Sequence, residues 1–395
     1  MTYGASKETA RPLVSATLIV RDEEKFLGGC LASIRELIDE IVVVDTGSRD
    51  RTRQIARSYD VNVFDYAWHD DFSAARNFAL DRAHGEWILY IDADERVRSY
   101  DRSALERELS DKRLVACTVR FHQKTGFTAY PEYRLFRRDE RIRFEGVMHE
   151  TMLPSVMRMV EDDGRRIGSS LLTIDHLGYD GDQAHKLQRN LHLLLKELKC
   201  DPARTYLWWH LGTVYRDLGR LADAETSWRT GIELADSKSE REAEDCLCYI
   251  ELSKLLLAGQ QDALPFIDQA LALQPDNWLL QWLKAKALMA SERYAEAMQI
   301  FERLGSIDAD ALIAPVSYDK RIFGAAAIAE VGQCAFRMAR YAESAEWYRR
   351  AELLAPDSLE FRVKRQLAGA RAETAEDWSG RRPACRQSLT ASEAP

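Results

Sequence analysis

The chain has 395 residues, a length that holds about two domains, each able to bury its own core. With 30% charged and 46% hydrophobic residues it reads as soluble and globular, and a formal net charge of -9 removes nucleic acid as the main ligand. No stretch reaches the ~18 apolar residues that span a bilayer, and residues 1–12 lack the apolar core of a secretory signal.

In chain order, Val14–Val20 reads as a strand rich in β-branched residues. Residues 24–37 then carry helical spacing through Phe26, Leu27, Cys30, Leu31, Ile34 and Leu37. Residues 41–44 are an apolar run too short for a helix. Residues 51–59 are helical again, 61–64 read as a third strand, 72–83 as a helix and 87–91 as a fourth strand. Short buried strands alternating with helices predict an α/β domain with a Rossmann-like, mostly parallel sheet and right-handed crossovers. Ligands of such sheets bind at the carboxyl ends of the strands, so functional side chains are expected after Val20, Val44, Phe64 and Ile91.

From about Arg189 the pattern is helical only, and it repeats. Gly212 precedes Trp228 by 16 residues, Gly332 precedes Tyr348 by 16, and Ala263 and Ala297 lie 34 apart. This resembles the tetratricopeptide repeat, in which small residues let antiparallel helices approach and aromatics fill the space between neighbours. After Glu373 the composition turns to Thr, Ser, Gly, Arg and Pro, and a disordered tail is expected. The seven cysteines, Cys30, Cys117, Cys200, Cys246, Cys248, Cys334 and Cys385, are odd in number and have neither zinc-ribbon nor CxxC spacing. They suit a reduced, cytoplasmic chain that uses them as small apolar side chains.

The strongest chemical signal is the end of the fourth strand, Trp-Ile-Leu-Tyr-Ile-Asp-Ala-Asp-Glu over residues 87–95. The chain leaves the sheet there, so Asp92 and Asp94 can converge on one point. Hard oxygen ligands so placed suit Mg²⁺ or Mn²⁺ bridging two phosphates. The second strand also ends in an acid, Asp45, followed by Thr46, Gly47 and Ser48. Such an acid can hydrogen-bond a ribose or base edge, or simply organise the turn. Ser48 and Asp50 are rival caps for the helix that starts near Arg51. A nucleotidyltransferase would place a glycine-rich basic loop after strand one, whereas Arg21, Asp22, Glu23 and Glu24 stand there.

Taken in order, four motifs resemble the family 2 glycosyltransferases, which have the GT-A fold. They are residues 21–27 (RDEEKFL), 40–52 (EIVVVDTGSRDRT), 71–79 (DFSAARNFA) and 85–95. The resemblance implies a nucleotide-diphosphate sugar donor, a UDP-sugar by preference, with Asp45 near the base and Arg76 and Asn77 lining the base and phosphate side. It implies that Asp94 ligates the metal and that Asp92 holds ribose or a metal-bound water. Farther on, residues 133–137 (YRLFR), 144–150 (FEGVMHE) and 173–179 (TIDHLGY) are similar to the punctuation of a subset of that family. The subset includes lipopolysaccharide-core transferases and the repeat-bearing peptide S-glycosyltransferases of bacteriocin pathways.

An inverting transfer needs one base beside the acceptor nucleophile. His149 and Glu150 are neighbours, and in an extended segment only one would face the cleft; Glu150 is favoured and His149 is the runner-up. The resemblance to GT-A enzymes, which often supply a histidine from beyond the core sheet, makes His176 the candidate third metal ligand. Arg134, Arg137, Arg138, Arg141 and Arg143 are read as a solvated strand face rather than an anion guide. The repeats are expected to hold a peptide or saccharide acceptor, a protein partner or a second copy of the chain. Among their tryptophans packing is the default, with Trp209 and Trp282 the ones to test for acceptor contact. The organisation expected is a disordered N-terminus (1–12), a GT-A catalytic domain (13–185), tetratricopeptide-like repeats (186–373) and a disordered tail (374–395). The competing reading is a non-catalytic scaffold, a dead GT-A domain carrying a protein-binding solenoid.

Overall fold

The computed structural model describes residues 11–98, 100–178, 184–312 and 314–380. Residues 1–10 and 381–395, which make up most of the two expected disordered termini, lie outside the described residues, as do Tyr179 and Cys385. Eight strands form one sheet among the described residues: β1 (Val14–Val20), β2 (Glu40–Asp45), β3 (Asn62–Asp65), β4 (Trp87–Tyr90), β5 (Glu95–Val97), β6 (Leu114–His122), β7 (Tyr130–Arg137) and β8 (Arg166–His176). The helices among and after them are α1 (Leu27–Ile34), α2 (Thr52–Ser58), α3 (Phe72–Leu80), α4 (Arg102–Leu109), α5 (Leu153–Asp163) and α6 (Ala184–Cys200).

The strand order is β3-β2-β1-β4-β7-β6-β8-β5. The first four strands pair in parallel, as their alternation with helices predicts. The rest of the sheet is mixed: β7 runs antiparallel to β4 and β6, β6 and β8 are parallel, and β5 is antiparallel to β8. Side chains alternate across the pleat. Val14, Ala16, Leu18 and Val20 with Val43, Trp87 and Leu89 bury one face against α1 and α4 through Leu27, Leu31, Ile34, Leu105 and Leu109. Val42, Val44 and Ile88 bury the other face against α3 and α5 through Ala79, Leu80, Val156 and Met159. Each large aliphatic chain so buried contributes roughly 1.5–3 kcal/mol.

Helices then follow one another: α7 (Thr205–Asp217), α8 (Leu221–Ser237), α9 (Cys246–Ala258), α10 (Leu264–Leu273), α11 (Trp278–Ala290), α12 (Tyr294–Gly305), α13 (Gly324–Arg337), α14 (Tyr341–Leu354) and α15 (Leu359–Gly380). The 16-residue spacing has a physical reason. A methyl group on Gly212 would overlap the indole of Trp228, and one on Gly332 would press on the ring of Tyr348 at 3.3 Å. Both aromatics are fully buried. Trp208, Trp209, Trp278, Trp282 and Trp347 are only half-buried, so the packing expectation holds fully for Trp228 alone. Helix α15 runs to Gly380, seven residues into the expected tail.

The chain divides into two compact units. One is Met1–Leu255 with Asp310–Asp319, and the other is Leu256–Ala309 with Lys320–Pro395. The first unit thus takes in α6, α7 and α8 as well as the sheet. Its return segment is held by Thr128, whose N–H donates to Tyr318 O at 2.8 Å and whose hydroxyl accepts from Tyr318 N at 2.9 Å. No helix among the described residues is long and apolar enough to cross a membrane. The six described cysteines are free thiols, and all but Cys200 are buried.

Candidate active site

Strand β4 ends in the interior of the first unit, and the chain turns at Asp92 and Asp94 before re-entering the sheet as β5. The turn is fixed by Glu95, whose Oε2 accepts from Asp92 N at 2.9 Å. Because β5 pairs with the end of β8 in the register Glu95↔His176, the imidazole of His176 arrives beside Asp94, Nε2 to Oδ2 at 3.3 Å. Its Nδ1 meets Gln123 O at 3.3 Å, which orients the ring. Burial opposes protonation of His176, but Asp94 outweighs it and the pKa is raised. Gly178 is required here, since a Cβ would overlap the Asp94 carboxylate.

Asp92 faces two arginines instead. Arg76 on α3 donates from Nη2 to Asp92 Oδ1 at 3.0 Å, and Arg134 on β7 stands 3.9 Å from Oδ2. Arg76 Nε also donates to Glu150 Oε1, so one guanidinium bridges Asp92 and Glu150. Arg134 Nη2 donates to Glu95 Oε1 at 2.7 Å. Both guanidinium groups lie over the ring of Tyr90, at 5.0 and 4.5 Å. Burial raises the Asp92 carboxyl, but Arg76 and Arg134 more than offset it and hold the pKa below the usual carboxylate range. For Glu95 burial wins over Arg134 and the pKa rises to about 7.

Asp45 closes β2. Its Oδ1 accepts from Gly47 N, Ser48 N and Arg53 Nε, each at 2.9 Å, which offsets burial and lowers its pKa. Its Oδ2 is buried with no partner. Neither rival is the N-cap of α2, which is Arg51. Ser48 accepts from Asp22 N and Asp50 from Glu24 N, each at 3.0 Å, so both tie the two strand-end loops together, and Asp50 also accepts from Thr52 N at 2.9 Å in the first turn of α2.

The expected site residues therefore gather unevenly. Asp92, Asp94, Arg76, Glu150 and His176 lie in one charged cluster, in which Asp92 is hydrogen-bonded to Arg76 and feels the charge of His176 as well. Among the described residues no group of three metal-binding side chains is assembled. Asn77, expected on the donor side, commits its amide to the backbone of Phe144, donating to its O and accepting from its N at 2.9 Å each. His149 and Glu150 take different partners: Glu150 reaches Arg76, while the His149 ring stacks on His210 of α7, 3.5 Å between centroids. His149 Nε2 is buried without a partner, and burial with Arg204 nearby lowers its pKa to about 4.

Arg134 is a correction. It was grouped with a solvated arginine face, yet it is buried at the centre of the cluster. The grouping suits others of the five: Arg141 pairs with Asp139 and Asp163, and Arg143 with Asp81. Arg134 shares a run of three consecutive buried positions with Leu135 and Phe136, and the apolar run was the available signal.

A model of glycosyl transferase family 2 matches residues 15–163, and a tetratricopeptide repeat model matches residues 260–315. The chain is 35% identical over 230 residues to a TPR repeat-containing protein of Synechococcus elongatus, covering 56% of each chain. It is 27% identical over 207 residues to the SPbeta prophage-derived glycosyltransferase SunS of Bacillus subtilis, covering 48% of this chain and 46% of that one. It is 32% identical over 156 residues to the lipopolysaccharide core biosynthesis glycosyltransferase LpsC of Rhizobium meliloti, covering 36% of this chain and 57% of the relative. The chain thus spans about half the length of these curated relatives.

Proposed function

We propose that this chain, a family 2 glycosyltransferase by its residues 15–163 and a tetratricopeptide-repeat protein by its residues 260–315, moves one sugar from a nucleoside diphosphate donor to a nucleophilic acceptor. The observation that carries the reading is the charged cluster at the end of β4, where Arg76 ties Glu150 to Asp92 and His176 meets Asp94. Asp45, at the end of β2, stands where ligands of such sheets bind, which supports its place on the base side of the donor. The donor is read as a UDP-sugar, as the likeness to family 2 glycosyltransferases implies.

Asp94 fits Mg²⁺ or Mn²⁺, because such ions are held by one or two carboxylates and complete their sphere with substrate phosphates and water, and His176, once deprotonated, would be a second ligand. Bound there, the ion would neutralise charge on the leaving diphosphate. Asp92 serves a different end, holding the Arg76 guanidinium in place. Glu150, fixed through one oxygen by Arg76, takes the proton of the acceptor O–H or S–H. The acceptor atom bonds to the sugar C1 as the bond from C1 to the diphosphate oxygen breaks, and a single displacement inverts that carbon. His149 is not the base in this reading, since its Nε2 is enclosed. The acceptor is a saccharide or a peptide side chain, and the repeats are its holding surface or that of a partner protein. The unpaired thiols suit work in the cytoplasm.

Incubation with a panel of UDP- and GDP-sugars and Mn²⁺ or Mg²⁺ should give slow nucleotide release from one donor. That release should vanish with EDTA and in Asp94→Ala. In Glu150→Gln it should drop while nucleotide binding persists. No turnover together with no metal-dependent nucleotide binding would sink the enzyme and leave the scaffold reading in front.

A further inference from the structure

The segment that delivers Glu150 is an irregular loop, residues 145–151, and it is tied at almost every position. Glu145 and Thr151 close it by exchanging backbone hydrogen bonds at 2.9 and 3.0 Å. Val147 O accepts from Phe72 N at 3.0 Å, at the start of α3. Two residues in it have left-handed backbone, Gly146 at φ 98° and His149 at φ 55°. Glycine adopts that region freely, whereas histidine does so at a cost and persists there only where its surroundings over-determine it.

The surroundings are two helices that follow the sheet. On α6, buried Glu197 accepts from Met148 N at 3.2 Å, and its other oxygen lies 3.3 Å from where a Gly146 Cβ would stand. Arg204 lies 3.8 Å from that oxygen. On α7, the His210 ring lies nearly flat on His149, at 16°, backed by Tyr206 at 4.5 Å and Trp209 at 4.3 Å. Tyr206 also meets His149 edge-on at 5.9 Å. One helix grips the residue before His149 and the other grips His149 itself. The next residue is Glu150.

We propose that Glu197 and His210 are positioning residues of the transfer reaction: they clamp Met148 and His149 and thereby set the Glu150 carboxylate against Arg76. Each holds the loop, Glu197 at Met148 N and His210 on the His149 ring, and Glu197 also lies close enough to Glu150 for the two carboxylates to repel. This inference rests on Glu150 being the base. It also gives α6 and α7 a role in the chemistry, although the repeat pattern had assigned them to a separate binding domain. They lie in the same compact unit as the sheet.

The test uses the full chain with Glu197→Ala, Glu197→Gln, His210→Ala and His210→Phe. Misplacing a reacting group by about an ångström costs up to ~100-fold, so each alanine variant should lower kcat by about 10- to 100-fold with the donor KM nearly unchanged. Glu197→Gln keeps an acceptor for Met148 N, and His210→Phe keeps a ring on His149, so both should recover most of the loss. Hydrogen exchange gives a readout that needs no turnover: the Met148 amide should exchange faster in Glu197→Ala and regain protection in Glu197→Gln. Alanine variants with full kcat, or with raised KM and intact kcat, would overturn the proposal, as would an unchanged Met148 amide. If the parent protein turned over no donor, the transferase reading would fall, while amide exchange would still decide whether the clamp exists.

Discussion

At the residue scale, what distinguishes this site is how differently its charged groups are supported. Arg134 is enclosed by Asp92, Glu95 and the Tyr90 ring, whereas Arg141 pairs with Asp139 and Asp163 at the surface. Removing one member of a buried set strands the other charges, which costs about 3–5 kcal/mol. Exposed pairs contribute little because water and salt screen them. Arg134→Met is therefore expected to destabilise the protein strongly in urea denaturation, and Arg141→Met hardly at all; equal effects would mean that the buried cluster carries no net stability. The same contrast explains a misreading. A dense run of arginines looks uniform in sequence, and only the antiparallel pairing of β7 with β4 carries Arg134 inside and lays Arg137 over the buried Trp87 ring.

At the element scale, the parts legible in the sequence are those whose signal is local. β1 falls where its β-branched run lies, and α3 begins where its period begins, capped by Asp71 at Ala74 N. The acids at the ends of β2 and β4 were legible for the same reason, since a strand followed by a turn is read within a dozen residues. Their partners were legible only in part: the resemblance places His176 beside Asp94 and Arg76 on the donor side, but not Arg134, which stands 3.9 Å from Asp92. His176 reaches Asp94 through a strand register, and Glu197 and His210 sit in helices whose period says only that they are helices. The glycines show how a local pattern can carry a packing rule. Gly212 faces Trp228 and Gly369 faces open space, although both lie inside helices. Alanine gains about 1 kcal/mol of helix propensity over glycine. At Gly369 that gain should appear as a slightly raised Tm. At Gly212 the Cβ displaces a fully buried indole, and overpacking costs about 1–3 kcal/mol, so Gly212→Ala should lower Tm. If both variants were stabilised, the close approach would not be a determinant of the repeat.

At the scale of the whole molecule, stability between pH 4.5 and 7 is a balance of buried groups that titrate in opposite senses. Burial, with Arg204 nearby, lowers the pKa of His149 to about 4 and that of His210 well below its usual value, His149 adding to the latter. The unfolded chain takes up those protons near pH 6.5 while the folded one refuses them. Each imidazole therefore withdraws stability as pH falls below about 6.5, by about 1.4 kcal/mol per pH unit until its folded pKa is reached. Glu95, raised to about 7, and the raised carboxyls of Glu132, Glu197 and Glu244 do the reverse. They bind protons in the folded chain first and add stability as pH falls, and His176, raised by Asp94, does likewise. The parent profile alone is a difference of similar slopes, so a variant must isolate one component. His210→Phe removes one proton-refusing ring and leaves the opposing carboxyls in place. Above about pH 7 its stability relative to the parent should be constant. As pH falls below about 6.5 it should gain on the parent, with a slope rising towards about 1.4 kcal/mol per pH unit, read from urea midpoints. A pH-independent difference would mean that His210 charges inside the fold, and the stack on His149 would then have to hold a cation.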